Sequence, residues 1–341
     1  MRSRIVLLGS RDINDVSDGV SVYVNEVFSA IEFNKYEIYS IILGNKNSFR
    51  LRNNINEVII RINSFDPFAK LEYCLKLLPK LREISNKDFI ILNGLSVIWI
   101  LPILKLIYPK SKIIIVHHSA EFNNNSLSLS KRIIAKLALK ISYLSNHHIS
   151  VSNYLQNLIP RSVTIRNGAK KMTQSNYSLN LSSDLLYVGR LVKEKGIIDL
   201  AKKLKKINSK ISLTCICPKL NKQMQKRLIK IYPNITFITE LCRKDVLGYI
   251  YGSKLVIIPS FNEGFSLVTQ EALNLGKIPL QRDIEALREF ECPEYSYFND
   301  NNFEQVLLNA LGNLIKFKSN DSYKRYISDV ADQWIVFLKN I

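Results

Sequence analysis

The sequence has little cysteine: five residues among 341, with no Cys-x-x-Cys pair. Cysteine-based zinc sites and the disulfide frameworks of small secreted domains both need a regular spacing that these residues lack. The composition therefore predicts neither a metal site nor a disulfide scaffold. Residues 1–10 combine a basic start with a short apolar stretch, and no small-residue cleavage site follows. They predict a first β-strand rather than a signal peptide, so the expected compartment is the cytoplasm.

The sequence also lacks an unbroken hydrophobic run long enough to cross a membrane. Its most apolar stretch, residues 89–108, is interrupted by Asn93-Gly94 and Pro102. Such residues form turns or end helices. The stretch therefore predicts a buried strand over residues 89–92, a turn, and a mostly buried helix from near Ser96, rather than a spanning helix.

Acidic residues are absent from Phe122 to Ser183, although the chain carries 29 of them elsewhere. The segment holds eight basic residues, which give it a net charge of +8 within a chain of net charge +19. A field of this sign attracts polyanions such as nucleic acid, an anionic membrane surface or phosphorylated substrates. Charge alone does not choose among these partners. The basic residues are Lys131, Arg132, Lys136, Lys140, Arg161, Arg166, Lys170 and Lys171.

Strand-like and helix-like patterns alternate along the whole chain, which is typical of parallel α/β units. A chain of 341 residues exceeds the usual size of one hydrophobic core, so two domains are expected. We predict the α/β class with two doubly wound sheets, joined by a polar linker at residues 176–183. The predicted domains are residues 1–175 and 176–320, with a helix at residues 321–341 that packs back toward the first domain.

One candidate site follows a predicted buried strand at residues 255–259. The loop after it carries Glu263 and Gly264, Ser266 caps the next helix, and Gly276 lies just after its end. Free backbone amides at the start of this helix, those of Ser266, Leu267 and Val268, form an anion site. Glu263 and Glu271 can both line one rim of a cleft beside this anion site. They suit hydrogen bonding to sugar hydroxyls, although a loop acid and a solvated helix face explain the same spacing.

A second candidate site lies in residues 185–196, where a strand ends at Gly189 and a helix begins at Gly196. Arg190 and Lys195 flank the loop between them. A guanidinium offers a planar fork that matches phosphate oxygens, and an ammonium adds a mobile point charge. A leaving diphosphate gains negative charge, so these cations suit its stabilisation. A basic surface loop is the alternative.

Taken together, the two segments resemble the retaining glycosyltransferases of family 4. The matching residues are Gly189-Arg190 with Lys195-Gly196, and Glu263-Gly264-Phe265 with Glu271-Ala272. Weaker matches extend the resemblance over nearly the whole chain, among them Asp18-Gly19-Val20 and His117-His118. The resemblance implies the GT-B fold, in which two Rossmann-like domains face each other across a cleft. It also implies retaining, metal-independent transfer of a hexosyl group from a nucleotide-diphosphate sugar, with no cofactor.

The resemblance also implies roles for individual residues. Arg190 and Lys195 bind the donor diphosphate, Glu263 contacts the transferred sugar, and Glu271 holds the ribose hydroxyls. In the first domain, Gly19 faces the phosphate, and a histidine reaches the reacting sugar. Adjacent residues on an extended segment face opposite ways, so only one of His117 and His118 suits that role. The predicted donor-binding set is completed by Gly264, Phe265, Ser266 and Leu267.

The sequence departs from the family pattern at three places. Asp18 stands where a glycine is common, Lys170 stands where an acid often follows Asn-Gly, and the usual glycine pair is replaced in the stretch from Asp283 to Ala286. These departures put contacts to the acceptor or donor near Asp283 in question. They remove no predicted ligand of the diphosphate or the ribose. His147 and His148 are expected to be packing residues at the start of a strand.

The helix predicted at residues 130–144 is amphipathic, and its apolar face is expected to pack on the sheet. Its basic face predicts peripheral binding to the anionic inner surface of the cell membrane. The expected acceptor is a saccharide or lipid-linked oligosaccharide of bacterial surface polysaccharide synthesis (O-antigen, capsule or lipopolysaccharide). Two alternatives remain: a sugar-nucleotide epimerase of the same fold, and a basic nucleic-acid-binding protein. The second has no recognisable binding motif, so we expect no nucleic-acid partner.

Overall fold

The computed structural model describes residues 3–12, 19–31, 36–44, 47–52, 55–61, 72, 75–77, 79–83, 88–123, 128–171, 183–207 and 210–341. The chain divides into two compact units, the first formed by residues 1–167 and 327–341 and the second by residues 168–326. The chain passes from the first unit to the second at residues 167 and 168, earlier in the sequence than the boundary predicted at residues 175 and 176. Most of the predicted linker lies outside the described residues, as does Asp18.

The described strands of the first unit form one eight-stranded sheet with the order β3-β4-β2-β1-β5-β6-β7-β8. Neighbouring strands are parallel except β3 and β4, which pair antiparallel at the edge. The strands are β1 (Ser3–Arg11), β2 (Tyr36–Gly44), β3 (Ser48–Arg52), β4 (Ile55–Arg61), β5 (Phe89–Asn93), β6 (Lys112–His117), β7 (His147–Ser150) and β8 (Ser162–Thr164).

Helices connect these strands as a parallel sheet requires. They are α1 (Gly19–Ala30), α2 (Leu101–Ile107), α3 (Leu129–Ser142) and α4 (Asn153–Leu158), with a 3₁₀ segment at Leu95–Ile100. One apolar core lies on the side of the sheet that α2 and α3 cover. It joins alternate strand residues, among them Val6, Leu8, Ile90, Leu92, Ile113 and Ile115, to Leu101, Leu104 and Ala138.

The prediction for the face of α3 was wrong. Small residues, Ala135, Ala138 and Ser142, are the buried ones. The larger apolar residues Ile133 and Leu137 are about half exposed. The hydrophobic pattern shows that a stripe exists, but it does not say which side of the helix faces the sheet. Small side chains let this helix approach its neighbours closely.

The second unit contains a six-stranded sheet over the described residues, with the order β11-β10-β9-β12-β13-β14 and all neighbours parallel. The strands are β9 (Leu185–Val188), β10 (Leu213–Cys217), β11 (Ile235–Thr239), β12 (Leu255–Ile258), β13 (Leu280–Arg282) and β14 (Tyr297–Phe298). The helices are α5 (Ile197–Ile207), α6 (Lys222–Ile231), α7 (Arg243–Gly252), α8 (Leu267–Asn274), α9 (Glu285–Arg288) and α10 (Phe303–Gly312). The predicted α/β class with two parallel sheets is confirmed.

The last helix, α11 (Ile327–Asn340), belongs to the first unit, where it contacts α1. The indole Nε1–H of Trp334 donates a hydrogen bond of 2.7 Å to the hydroxyl of Tyr23, and both side chains are buried. A buried hydroxyl needs such a partner. Among the described residues, none of the helices is both long and apolar enough to span a membrane.

Candidate functional site

Two loops emerge side by side from the second sheet. The loop at residues 189–196 follows β9, and the loop at residues 259–266 follows β12, its parallel neighbour. Parallel strands present their carboxyl ends at the same edge, which is where ligands bind in open α/β sheets. The backbone N–H of Phe261 donates to the carbonyl oxygen of Glu194 at 2.9 Å. The two loops are therefore joined by a backbone hydrogen bond.

Gly196 makes the close approach of these loops possible. Its backbone has a φ of +71°, and a Cβ atom added there would lie 1.9 Å from the carbonyl oxygen of Pro259. No side chain fits at that distance. A glycine is required at this position because both the left-handed backbone and the contact with Pro259 exclude larger residues.

Lys195 and Glu263 form an ion pair across the two loops, with 2.7 Å between Nζ and Oε1. Both side chains are mostly buried, with 23% of Lys195 and 9% of Glu263 exposed. The structure thus brings a predicted diphosphate ligand and a predicted sugar ligand within hydrogen-bond distance. A cation and a carboxylate held this close can oppose charge of either sign on a bound molecule.

Arg190 lies at the start of the same loop and points toward solvent. Its side chain is 55% exposed, and Nη2 lies 3.3 Å from Oε1 of Glu194. The hydroxyl of Tyr187 donates to the backbone carbonyl of Arg190 at 2.7 Å and so fixes the loop at its base. An exposed ion pair contributes little to stability. Arg190 can therefore exchange Glu194 for an anionic ligand at low cost.

Ser266 caps α8 as predicted: its hydroxyl oxygen accepts the backbone N–H of Thr269 at 3.3 Å. Gly276 follows the end of the helix with a φ of +81°, which confirms the predicted C′ position. The neighbouring predicted ligands are packed inward. Gly264 and Phe265 are buried, and the ring of Phe265 contacts that of Phe290 with centroids 5.0 Å apart. Leu267, the first residue of α8, is partly exposed.

Glu271 lies in the second turn of α8 with its side chain completely buried. Nη2 of Arg243, the first residue of α7, donates a hydrogen bond to its Oε1. Its Oε2 is also buried, and no hydrogen bond reaches it among the described residues. A carboxylate is an acceptor only, so this oxygen can take a hydroxyl or N–H donor. Sequence reasoning missed Arg243, because no local pattern links residues 28 positions apart.

Arg282 contacts the loop after β12 and holds it in place. Sequence reasoning also missed this residue. Its Nε donates to the carbonyl oxygen of Pro259 at 3.1 Å, and its guanidinium lies 4.0 Å from the ring centroid of Phe261. The two remaining nitrogens pair with Asp300 at 2.8 Å and with Asp199. This arginine is buried at the end of β13. A buried guanidinium needs all of these partners, and through them it fixes the loop.

Near Asp283, where the sequence departs from the family pattern, the structure contains a local ion pair. Arg288 contacts both carboxylate oxygens of Asp283, at 2.7 and 2.9 Å, and it also pairs with Glu294. The Arg288 guanidinium lowers the pKa of the Asp283 carboxyl. Asp283 lies just before the short helix α9, which contains Ala286, and pairs with Arg288 at the end of that helix. Lys170, the third departure, is exposed to solvent in the second unit.

His117 and His118 lie at the end of β6 in the first unit and turn to different partners. Nε2 of His117 lies 3.0 Å from Nδ1 of His148, and the two rings stack. Burial lowers the pKa of both, and His148 contacts the hydroxyl of Ser145 at 3.1 Å. His148 is thus the packing residue that was predicted. Nε2 of His117 is therefore engaged by a side chain of the neighbouring strand β7.

His118 instead packs edge-on against Tyr23 of α1, with ring centroids 4.8 Å apart. Burial lowers its pKa to about 3, so its imidazole is neutral at pH 7. Gly19, the other predicted ligand in this unit, is the first residue of α1. The structure therefore places both His118 and Gly19 on the side of the sheet where α1 lies.

Comparison with known proteins finds a family model that matches most of the second unit. Residues 180–334 match the family model of glycosyl transferases group 1. The matched segment covers less than half of the chain. It contains both loops, the Lys195–Glu263 pair and Glu271. The match supports glycosyl transfer from a nucleotide sugar. No curated protein gives a significant match.

Solved structures show the fold of the whole chain. Sucrose-phosphate synthase from Thermosynechococcus elongatus superposes with a TM-score of 0.78 at 13% identity, covering 99% of this chain and 95% of that one. The N-terminal domain of Candida albicans trehalose-6-phosphate phosphatase gives 0.74 at 10% identity, covering 100% and 97%. An α,α-trehalose 6-phosphate synthase from Burkholderia multivorans gives 0.70 at 12%, covering 100% and 97%. At these identities the likeness establishes the GT-B fold.

Proposed function

We propose that this chain is a retaining, metal-independent glycosyltransferase. It transfers a hexosyl group from a nucleotide-diphosphate sugar to a saccharide or lipid-linked acceptor in bacterial surface polysaccharide synthesis. The observation that carries the proposal is the 2.7 Å pair of Lys195 and Glu263 at the junction of two loops within the family segment. The junction offers one cation for a leaving diphosphate and one acid for the sugar beside it.

In the proposed reaction, the bond between the anomeric carbon and the diphosphate breaks. Negative charge then grows on the diphosphate, and the ammonium of Lys195 and the guanidinium of Arg190 stabilise it. Positive charge grows at the anomeric carbon, where the carboxylate of Glu263 opposes it and accepts hydrogen bonds from sugar hydroxyls. Both interactions strengthen toward the transition state, which is what catalysis needs. These cations take the part that a metal plays in other transferases.

Glu271 is proposed to accept hydrogen bonds from the ribose hydroxyls. Arg243 holds one carboxylate oxygen, and the second has no hydrogen bond among the described residues. Because this side chain is completely buried, ribose binding requires a local rearrangement beside it. In the first unit, we assign the sugar contact to His118 rather than His117. The choice rests on the contact between Nε2 of His117 and His148.

The basic segment at residues 122–183 is proposed to bring the protein to the anionic inner surface of the cell membrane, where a lipid-linked acceptor would be found. Each cation near such a surface contributes about 1 kcal/mol to binding. Binding through charge alone is sensitive to salt. This part of the proposal does not depend on the chemistry of transfer.

A panel of nucleotide-diphosphate sugars tests the donor assignment by thermal stabilisation, because a ligand that binds only the folded state raises the melting temperature. The stabilising donor is then incubated with acceptors, with and without EDTA, and the anomeric configuration of the product is determined by NMR. The proposal predicts a transferred sugar with retained configuration and equal rates in EDTA. An inverted product, a strict metal requirement, or only epimerised free donor would contradict it.

A further inference from the structure

The exposed apolar residues of α2 and α3 form a surface of the first unit. Leu106 of α2 is 83% exposed and Leu129 of α3 is 73% exposed, and the other members are about half exposed. The two helices contact each other and cover the same side of the sheet. The apolar surface comprises Leu106 of α2, Leu129, Ile133, Ile134 and Leu137 of α3, and Leu144 just after the end of α3.

The periodicity of α3 shows that this exposure is systematic. With a rotation of about 100° per residue, Leu129, Ile133 and Leu137 fall within about 80° of one another. The buried residues of the helix, Ala135 and Ala138, lie on the opposite side. A helix that packs on a core normally buries its large apolar residues and exposes its small or polar ones. Here the arrangement is reversed, so the large side chains face outward.

Cations lie among the exposed apolar residues. On the same helical projection, Lys136 and Lys140 fall beside Leu129 and Ile133, and both are exposed. Their long apolar stems can lie along a hydrophobic layer while the ammonium groups reach its polar boundary. The surrounding sequence, residues 122–183, carries eight basic residues and no acidic one. An apolar stripe with basic residues beside it matches the interface of an anionic bilayer.

We infer that the apolar surface of α2 and α3 inserts into the headgroup and acyl boundary of an anionic phospholipid bilayer. The inference deepens the membrane part of the proposed function, which by itself requires only that a basic face rests on the lipid. A second copy of this chain fits less well, because self-association would bring together two copies of α3, whose segment carries basic residues and no acidic one. Nucleic acid fits less well, because its phosphate backbone offers nothing to the exposed leucine and isoleucine side chains.

Vesicle sedimentation of the full chain tests the inference. The probes are vesicles of phosphatidylcholine with about a third phosphatidylglycerol, and vesicles of phosphatidylcholine alone. An Ile133→Gln/Leu137→Gln double variant is expected to bind the anionic vesicles about a hundredfold more weakly, because each substitution removes an inserted side chain. Ile315→Gln is the matched control, since Ile315 is 78% exposed in the second unit and should leave binding unchanged.

Depth is measured separately, with Leu137→Trp and Ile315→Trp and with lipids brominated in the acyl chain. Insertion predicts that the brominated lipid strongly quenches the fluorescence of the tryptophan introduced in Leu137→Trp. The tryptophan introduced in Ile315→Trp should not be quenched. Unchanged vesicle binding of the double variant would leave only electrostatic contact and overturn the inference. A different result would also overturn it: light scattering shows that the wild type is a dimer and the double variant a monomer, and the wild type does not bind vesicles.

These outcomes are independent of the transfer reaction. The double variant should keep the donor-induced thermal stabilisation of the wild type, because both substitutions lie in the first unit, outside residues 180–334. If the double variant loses vesicle binding but keeps donor binding, the result supports insertion and does not bear on the transferase assignment. If the wild type does not bind a donor, the result contradicts the transferase assignment and does not bear on insertion.

Discussion

Glu263 and Glu271 are each paired with one basic side chain, but the two pairs differ in their access to solvent. Lys195 and Glu263 are 23% and 9% exposed, whereas Arg243 and Glu271 are 32% and 0% exposed. A completely buried carboxylate cannot lose its cation without a large penalty, because water does not replace the lost interaction. The partly exposed pair can exchange partners more cheaply. The first pair therefore suits ligand exchange, and the second suits a fixed site.

The largest expected effect comes from breaking the buried pair. Arg243→Met should lower the free energy of unfolding by about 3–5 kcal/mol, because it leaves the carboxylate of Glu271 buried without its cation. Denaturant unfolding followed by circular dichroism measures the change. The double variant Arg243→Met/Glu271→Gln should recover most of the loss, since no buried charge remains. If the double variant is no more stable than Arg243→Met, burial of the charge is not the cause.

Removal of the exchangeable cation should affect turnover more than stability. We expect Lys195→Ala to reduce kcat for sugar transfer about 10²–10³-fold, the usual effect of deleting one group that stabilises developing charge. Lys193→Ala, in the same loop and exposed, is the matched control and should keep wild-type kcat. Equal loss in both variants would indicate that the general charge of the loop matters, rather than the position of Lys195.

His118 extends the comparison to a group whose pKa is lowered by burial. Burial lowers the pKa of His118 to about 3, so it stays neutral in the folded state while the unfolded chain takes up a proton near pH 6.5. Stability from this group is thus present above pH 6.5 and falls as the pH drops. Between pH 7.5 and 5 the loss should be about 2 kcal/mol.

Unfolding of His118→Phe at the two pH values checks this assignment. The phenyl ring can keep the edge contact with Tyr23 but cannot be protonated, so the variant should lose less stability than the wild type on acidification. An identical pH dependence in both proteins would remove His118 as the source.

The smallest effect is expected at the exposed pair of Arg190 and Glu194. Glu194→Ala should change the free energy of unfolding by less than about 1 kcal/mol, because exposed ion pairs contribute little. The same variant should bind the donor at least as tightly, since Arg190 no longer exchanges a carboxylate for the diphosphate. Thermal unfolding and donor titration measure the two quantities. A marked loss of stability would contradict this expectation and show that Glu194, like Glu271, is needed for folding stability.

The sequence was sufficient to predict the features that depend on neighbouring residues. The alternation of strands and helices, the cap at Ser266 and the C′ glycine at Gly276 all follow from local preferences, and the structure confirms them. The sequence also placed each loop after a strand, whereas the pairing of β9 with β12, which brings the two loops to one sheet edge, is seen only in the structure.

Long-range contacts escaped prediction for a physical reason. Arg243 and Arg282 find their partners through the packing of distant segments, and no periodicity or spacing encodes that packing. The orientation of α3 escaped for a related reason. Its pattern defines an apolar stripe, but the fit of Ala135 and Ala138 against neighbouring elements decides which side is buried.

The most direct test of the donor site is a calorimetric titration of the wild type and Lys195→Ala. The ligands are the stabilising nucleotide sugar, its nucleoside diphosphate and its nucleoside. If Lys195 binds the diphosphate, the variant should bind the first two at least about tenfold more weakly, the loss expected for one charged hydrogen bond. Its affinity for the nucleoside should equal that of the wild type. Undiminished affinity for the nucleoside diphosphate, or an equal loss for the nucleoside, would contradict the account.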